Sequence, residues 1–182
     1  MTDGDIIRSC QSGELEQFAQ LYDRYAAKIY KYIYYRVREK STAEDLTSLT
    51  FTKALENIGK YKSTQGTFSA WIYRIAKNTL IDHYRTDKND DGLETVAEKG
   101  VEVDYEGAVD ARRRLAEVEE YMQTMKPEQQ EIIRLRLWDE LSYQEIAEVV
   151  GKSEASCKMA FSRAIAVLRA GLAILLLFLL TQ

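Results

Sequence analysis

Residues 141–169, LSYQEIAEVVGKSEASCKMAFSRAIAVLR, contain the strongest structural motif in the sequence. Ser142 followed by Glu145 forms a capping box, which predicts the start of one helix. Gly151 supplies a left-handed break, and Ser153 caps a second helix. Two helices joined by a short glycine turn are typical of a helix-turn-helix. The apolar residues recur at helical spacing and predict its packed face: Ile146, Ala147, Val150, Cys157, Phe161, Ala164 and Leu168.

Two further helices are predicted directly upstream of this motif. Pro127 occupies the first turn of the second one, where its missing N–H is tolerated. The apolar positions of the pair are Leu115, Val118, Tyr121, Met122, Ile132, Ile133, Leu135 and Leu137. The C-terminal part of the chain therefore predicts a small helical domain.

The N-terminal part predicts a second set of helices. A short helix is expected around Ile6 and Ile7. Ser41 followed by Glu44 is a capping box for a later helix that runs to about Ile58. Between them, one long amphipathic helix is predicted by apolar residues three and four apart: Leu15, Phe18, Leu21, Tyr22, Tyr25, Ile29, Ile33 and Val37.

A last N-terminal helix follows a polar connector. Gly59 ends the preceding helix, and Thr67 caps the new one. Its predicted inner face consists of Phe68, Trp71, Ile72, Ile75, Ala76, Thr79 and Leu80. The four predicted helices, within about 85 residues, can bury one modest core.

Composition favours an all-α chain and excludes several classes of function. One proline and nine glycines in 182 residues give too little turn punctuation for strand-rich domains. Cys10 and Cys157 lie far apart and form no metal-binding pattern, so we expect no metal site. The sequence has no phosphate-binding loop or nucleophile elbow, and its single histidine is His83, so we expect no catalytic residue and no cofactor. The polar N-terminus lacks signal-peptide features and suggests the cytoplasm.

The distribution of charge divides the chain. Residues 1–86 hold 13 basic and 10 acidic residues, whereas residues 87–110 hold 2 basic and 9 acidic residues. The acidic stretch is typical of a linker, with a surface loop inside one domain as the alternative. We therefore predict a helical domain at 1–88, an acidic linker at 89–110, a helix-turn-helix domain at 111–170 and a hydrophobic tail at 171–182.

Each predicted domain contains a basic patch. Residues 60–85 interleave basic and aromatic side chains, which suits phosphates and unpaired bases of melted DNA, although a solvated basic face over a core is the alternative. The last helix and its turn carry cations where a recognition helix would face the major groove. The basic residues of the two patches are Lys60, Lys62, Arg74, Lys77, Arg85, Lys152, Lys158, Arg163 and Arg169.

The tail allows three interpretations. Residues 172–180 are uninterrupted apolar, and the longer run from Ile165 to Leu180 is 16 residues, broken by Arg169. A spanning helix needs about 20 residues. The tail could extend the last helix and pack on its own domain or a partner, anchor peripherally at a membrane, or be the remnant of a longer membrane-linked protein.

Three stretches of the sequence carry a family resemblance. FAQLYDRYAAKIYKYIYYRV with AEDLTSLTFTKAL, FSAWIYRIAKNTLIDHYR, and the helix-turn-helix stretch quoted above resemble extracytoplasmic-function (group IV) sigma factors of bacterial RNA polymerase. The resemblance covers nearly the whole chain up to about residue 169. It implies an all-α fold in which a sigma region 2 four-helix domain and a region 4 helix-turn-helix domain are joined by the linker.

The resemblance implies roles for residues in the N-terminal domain. Glu44, Asp45, Ser48 and Leu49 correspond to the surface that docks on the β′ clamp helices of the polymerase. Family members usually have Gln and Glu at the last two of these positions. The loop from Tyr61 to Phe68 corresponds to one that captures a base flipped out of the −10 element. Lys60, Tyr61, Lys62, Phe68, Arg74, Lys77, Asn78 and Arg85 are the expected −10 contacts, with Asn78 helping to read the base.

The resemblance also implies contacts to the −35 element. Lys158, Met159, Ser162 and Arg163 correspond to positions that meet this element, and Lys152, Ser153 and Ser156 are expected near its phosphates. Met159 and Ala160 replace residues that are commonly polar or basic, so we expect fewer base contacts and more reading of DNA shape.

The implied partners are core RNA polymerase (β′ clamp helices and β flap), promoter DNA and an anti-sigma factor, with membrane contact through residues 171–182 as an additional hypothesis. Two alternatives stay open at this point. One is a helix-turn-helix regulator that acts without core polymerase. The other is a helical interaction or membrane-adaptor module.

Overall fold

Every regular element in the residues that the structure describes is helical. The computed structural model describes residues 1–90, 118 and 121–180, and the chain separates into an N-terminal and a C-terminal unit. No strand occurs in this part of the chain, which confirms the all-α, two-domain expectation. The N-terminal unit contains α1 (Asp3–Gln11), α2 (Phe18–Val37), α3 (Lys40–Asn57) and α4 (Phe68–Asp90). The C-terminal unit contains α5 (Pro127–Leu137), α6 (Tyr143–Val150) and α7 (Glu154–Leu180).

The starts of α1 and α2 are set by local chemistry. Thr2 and Asp5 form a reciprocal capping box, so the short leading helix is confirmed. α2 begins at Phe18, later than the apolar pattern predicts, because the chain forms a 3₁₀ turn over Leu15–Gln17. The side chain of Leu15 is 50% exposed and takes no part in the core.

The junction between α2 and α3 differs from the prediction. α2 ends at Val37 and is capped by Arg38, whose φ of 56° is left-handed. The carboxylate of Glu39 then accepts hydrogen bonds from the backbone N–H groups of Ser41 and Thr42 and caps α3. The predicted Ser41–Glu44 capping box is therefore wrong, since Ser41 already lies inside the first turn. α3 ends at Asn57 and passes into a 3₁₀ turn over Ile58–Lys60.

The core of the N-terminal unit lies where α2, α3 and α4 meet. Tyr32 of α2 and Tyr73 of α4 are fully buried and pack edge-on, with ring centroids 5.1 Å apart. Phe51 of α3 packs edge-on against Phe18 and Tyr22 of α2. The inner face of α4 matches the prediction at Phe68, Ile72, Ala76, Thr79 and Leu80, which are all buried. Edge-on aromatic pairs add about 1 kcal/mol each to ordinary apolar burial.

The C-terminal unit has the predicted helix-turn-helix. Ser142 and Glu145 form the capping box of α6, and Gly151 ends α6 with a φ of 75°. The hydroxyl of Ser153 accepts the backbone N–H of Ser156 at 3.2 Å at the start of α7. Residues 118 and 121–123 are helical. A buried cluster joins this segment to α5 and α7: Met122, Met125, Ile133, Ala164 and Leu168.

The predicted linker and tail are described only in part. Most of the stretch 89–110 lies outside the described residues, although residues 89 and 90 belong to α4. α7 continues without a break through Leu180, so the tail backbone extends the last helix. What its side chains contact lies outside the described part of the chain. No helix among the described residues is long and apolar enough to cross a membrane.

Gly151→Ala should destabilise the C-terminal unit by about 1 kcal/mol, because a Cβ disfavours the left-handed conformation. No atom lies within 4 Å of the Cβ that would be added, so the cost comes from the backbone alone. Faster amide hydrogen exchange in α6 and α7 is the expected result. Gly59→Ala is the matched control, since its site is equally open and its φ is not left-handed. Equal effects of the two substitutions on their own units would contradict the backbone explanation.

Glu39→Gln should destabilise the protein at neutral pH and lose this effect in acid. Hydrogen bonds from Thr42 and then Ser41 lower the pKa of Glu39 from 4.5 to about 2. The stabilisation from the ionised cap is therefore complete above about pH 5 and disappears as pH falls from about 4.5 to about 2. Urea unfolding of wild type and variant across this range measures it. A difference in unfolding free energy between wild type and Glu39→Gln that stays constant across this pH range would contradict the explanation.

Candidate nucleic-acid interface

The outer side of α4 carries the residues predicted to meet the −10 element. Arg74, Asn78 and Arg85 are exposed and Lys77 is partly exposed. Spacings of three, four and seven residues put them on one face of the helix. We call these four residues the basic α4 face. Ile81 is 53% exposed on the same face, an apolar contact surface that the charge pattern did not reveal.

The acidic residue of this region is neutralised within the unit. Asp82 lies 3.5 Å from the Nζ of Lys53 and 3.4 Å from the guanidinium of Arg85. Lys53 also lies 3.4 Å from the hydroxyl of Thr79, which places it on the α3 side of α4. Asp82 is therefore paired with two cations, Lys53 of α3 and Arg85 of the basic α4 face, which balance its negative charge.

The loop before α4 is organised around Tyr61. Its hydroxyl donates to the carbonyl of Gly66 at 2.9 Å, and its ring packs edge-on against Trp71 at 5.3 Å. Gly66 has a φ of 128°, a backbone conformation that would be strained in a residue with a side chain. Burial raises the pKa of Tyr61, so the hydroxyl stays a neutral donor. Lys60 and Lys62, on either side of it, are exposed.

Phe68 does not occupy the position expected of a DNA contact. Its side chain is 2% exposed and packs against the rings of Tyr25 and Trp71. The apolar spacing placed Phe68 correctly on the inner face of α4, whereas the resemblance implies a contact to the −10 element. Its ring supports the loop from beneath, because the apolar face of α4 begins there.

Gln11 is a supporting residue that the sequence analysis missed. Its side-chain amide donates to the carbonyls of Ile58 at 2.9 Å and Tyr61 at 3.0 Å. These two bonds tie α1 to the start of the loop. No local sequence signal could have found them, since the partners are 47 and 50 residues away.

The outer side of α7 carries the residues predicted to meet the −35 element. Lys158, Met159, Ser162 and Arg163 are exposed, with Met159 at 54%. They share one face by helical spacing, and we call them the recognition face. Cys157, Ala164 and Leu168 are buried on the opposite side. The apolar periodicity of α7 therefore predicted correctly which side stays available.

Two cations near the start of α7 are paired with carboxylates. Lys152 lies 2.5 Å from Glu128, and Lys158 lies 2.6 Å from Glu154. All four side chains are at least 37% exposed, so water weakens both pairs. Ser153 and Ser156 form the helix cap described above, with Ser153 exposed and Ser156 partly exposed. The N-terminus of α7 thus keeps its cations at the surface.

Tyr143 is a second residue that the sequence analysis missed. The guanidinium of Arg136 lies over its ring at 4.9 Å, and the ring packs edge-on against Phe161 at 5.8 Å. Arg136 also donates to the carbonyl of Leu141 at 2.8 Å. These contacts link α5, α6 and α7 and so orient the recognition face. The sequence shows an aromatic residue at this position but not its partners.

A third predicted surface lies on α3. Glu44, Asp45, Ser48 and Leu49 are all exposed, and we call them the α3 face. Thr47 and Thr50 on the inner side are buried, and their hydroxyls donate to backbone carbonyls of the preceding turn at 2.7 Å. An open groove of about 330 Å³ runs beside this face, lined by Tyr22, Ala26, Ala27, Tyr30, Glu44, Thr47 and Ser48.

The fold and these surfaces define a two-domain helical protein with a C-terminal helix-turn-helix. Residues 21–89 match the sigma-70 region 2 model, and residues 115–168 match the sigma-70 region 4 model. The chain belongs to the sigma-70 family of RNA polymerase sigma factors, in the extracytoplasmic-function group.

Individual relatives agree with this assignment. The chain is 37% identical over 164 residues to the ECF RNA polymerase sigma factor BldN of Streptomyces coelicolor, covering 88% of this chain and 62% of that protein. It is 30% identical over 153 residues to the RNA polymerase sigma factor YlaC of Bacillus subtilis, covering 82% and 88%. The solved structure of CnrH, in complex with the cytosolic domain of CnrY, has the same fold with a TM-score of 0.70 at 23% identity, covering 94% and 97%.

Gln11→Ala should loosen the loop between α3 and α4. Loss of the two hydrogen bonds should lower the free energy of local opening by roughly 1–2 kcal/mol, at about 1 kcal/mol per bond. Amide hydrogen exchange at residues 59–67 measures this. Gln20→Ala is the control, because Gln20 bonds the neighbouring Gln17. Unchanged exchange in the loop would show that Gln11 does not anchor it.

Proposed function

We propose that this chain binds core RNA polymerase and directs it to promoters, with the N-terminal unit at the −10 element and the C-terminal unit at the −35 element. The observation that carries the proposal is the division of α4 into two sides. Its apolar side is buried, and its outer side presents an amide, Asn78, between the cations Arg74 and Arg85.

The chemistry of the basic α4 face suits an opened −10 element. Arginine and lysine hold phosphates of either strand, whereas the amide of Asn78 can donate to and accept from the edge of one base. Flipping a base out of the stack costs a few kcal/mol, which phosphate contacts and polymerase binding must offset. The neighbouring loop, braced by Tyr61 and Gln11, supports a role in capturing that base.

The recognition face suits the −35 element. Lys158 and Arg163 supply charge for phosphates or guanine, and Ser162 supplies a small polar group. Met159 adds an exposed apolar side chain that cannot hydrogen-bond a base edge. We therefore propose that sequence discrimination at this element relies on few direct base contacts and on the shape of the DNA.

The α3 face is the proposed docking surface for the β′ clamp helices. Glu44 and Asp45 offer carboxylates for basic partners, which favours fast and oriented association. Leu49 is 43% exposed, so part of this surface is apolar. Relatives usually have Gln and Glu at the positions of Ser48 and Leu49. We propose that at these two positions the contact with the polymerase is less electrostatic and more apolar.

An anti-sigma factor is a further proposed partner. The solved structure of CnrH contains the cytosolic domain of CnrY, and a second related structure contains the sigma factor RpoE in complex with the anti-sigma factor NepR from Bartonella quintana. A partner that occupied the groove beside the α3 face would compete with polymerase, because both would need Glu44 and Ser48. We place the site of action in the cytoplasm, where bacterial RNA polymerase works.

Run-off transcription with purified core polymerase on a promoter library tests the function. Initiation that requires both the chain and core polymerase supports the proposal and identifies a promoter. Binding to duplex DNA that core polymerase does not alter would support a helix-turn-helix regulator instead. Neither activity, together with partitioning into vesicles, would support an interaction or membrane-adaptor module.

Asn78→Ala should reduce initiation at the selected promoter by roughly 5- to 150-fold, since one base contact contributes about 1–3 kcal/mol. Binding to core polymerase should not change. Thr86→Ala is the control, because Thr86 is exposed on the same helix and its hydroxyl bonds the carbonyl of Asp82. An equal loss of core binding in Asn78→Ala, measured by fluorescence anisotropy, would show that Asn78 was assigned the wrong role.

A further inference from the structure

We infer that the second half of α2 forms another nucleic-acid contact surface, which holds the sugar-phosphate backbone of single-stranded DNA beyond the −10 element. Its residues, here named the α2 stripe, are Lys28, Lys31, Tyr35 and Arg38. The inference rests on the proposed function, because it extends the path of the opened strand from α4 onto α2.

The α2 stripe is a concentrated positive surface. No acidic residue occurs between Asp23 and Glu39. Lys28 is exposed, and the other three residues are partly exposed. Among the side chains that the structure describes, neither Lys28, Lys31 nor Arg38 forms an ion pair.

Tyr35 lies beside two of these cations, Lys31 and Arg38. The Nζ of Lys31 is 6.0 Å from the centroid of its ring, and the guanidinium of Arg38 is 5.5 Å from it. Cations beside a partly exposed aromatic ring are the combination that single-strand-binding surfaces use. A basic residue near the C-terminus of a helix can also be explained by its favourable interaction with the helix dipole. This explanation accounts only for Arg38, because the effect falls off within the last turn and Lys28 lies earlier in α2.

The stripe continues the basic α4 face because α2 and α4 run in the same direction. Tyr32 meets Tyr73 in the middle of the pair, with ring centroids 5.1 Å apart. Further along both helices, the hydroxyl of Tyr84 donates to the carbonyl of Arg36 at 2.7 Å. Arg85, the last residue of the basic α4 face, therefore lies next to the end of α2.

On α2, the stripe faces away from α3. Tyr22 contacts Phe51 of α3, with ring centroids 4.8 Å apart, whereas Tyr32 points to α4. A rotation of about 100° per residue puts Tyr22 and Tyr35 on opposite sides of the direction in which Tyr32 points. The whole α2 stripe falls on the Tyr35 side.

On α4, the basic face also points away from α3. Thr79 lies 3.4 Å from Lys53 of α3, and Tyr73 points to α2. The same helical rotation puts Thr79 and Arg74 on opposite sides of the direction of Tyr73. The α2 stripe and the basic α4 face therefore lie on one side of the N-terminal unit, and α3 lies on the other.

Asp82 does not interrupt this surface, because Lys53 and Arg85 hold it. Glu39 does not interrupt it either, since its carboxylate is bonded to the first backbone N–H groups of α3. A strand that leaves the basic α4 face past Arg85 thus meets cations on α2 and no free carboxylate among these neighbours.

Binding of oligonucleotides to the assembled holoenzyme tests the inference. The probes are the non-template strand of the promoter that the library selects, either limited to the −10 element or extended by about ten nucleotides at its 5′ or 3′ end. The variant is Lys28→Gln/Lys31→Gln. The control is Arg8→Gln/Lys126→Gln, which removes the same charge from exposed residues outside the proposed surfaces.

The wild-type holoenzyme should bind one of the extended probes more tightly than the short probe. The variant should lose this gain, with the salt slope reduced by about 1.4, at about 0.7 for each lost phosphate contact to a single strand. Its binding to core polymerase and to the short probe should match wild type, and the control should keep the gain.

Three outcomes would overturn the inference: no gain from either extension in wild type, an unchanged gain in the variant, or an equal loss in variant and control. Failure of the proposed function looks different. In that case the wild-type holoenzyme would not distinguish the short −10 probe from a scrambled one. Equal thermal unfolding of wild type and variant is expected, since neither substituted side chain is buried.

Discussion

The edge-on contact between Tyr32 and Tyr73 is the interaction on which the N-terminal unit depends. Both rings are fully buried, and together they fix the rotation of α4 about its own axis. Because a helix has a fixed angle between successive residues, burying Tyr73 also determines where Arg74 and Asn78 point. A nucleic-acid surface is thus positioned by an apolar contact on the other side of the same helix.

In the C-terminal unit, too, the buried side of a helix determines where its exposed side points. Cys157, Ala164 and Leu168 are buried, and this determines the direction of the recognition face. Gly151 adds a second constraint, because its left-handed φ fixes the angle at which α7 leaves α6. Tyr143 then holds the helices together through contacts to α5 and α7.

Much of this could be predicted from the sequence, because helical periodicity and caps are local signals. The helix-turn-helix and the buried sides of α4 and α7 follow from spacing, whereas the positions on α3 and on the outer side of α7 were expected from the family resemblance. The start of α3 could not be predicted in this way. Glu39 and Ser41 are both able to cap a helix, and the left-handed residue Arg38 decides between them by where it directs the chain. Long-range contacts are the other limit: Gln11 bonds partners about a quarter of the chain away, and its identity alone gives no sign of that role.

The ion pairs at the start of α7 have a consequence for the ionic-strength dependence of DNA binding. Lys152 and Lys158 each carry a carboxylate as an internal counterion. When such a lysine moves to a DNA phosphate, it leaves Glu128 or Glu154 behind, and the freed carboxylate attracts cations from solution. The number of ions released by association is then smaller than the number of phosphates contacted. A phosphate count read from salt titrations would therefore be too low for this helix.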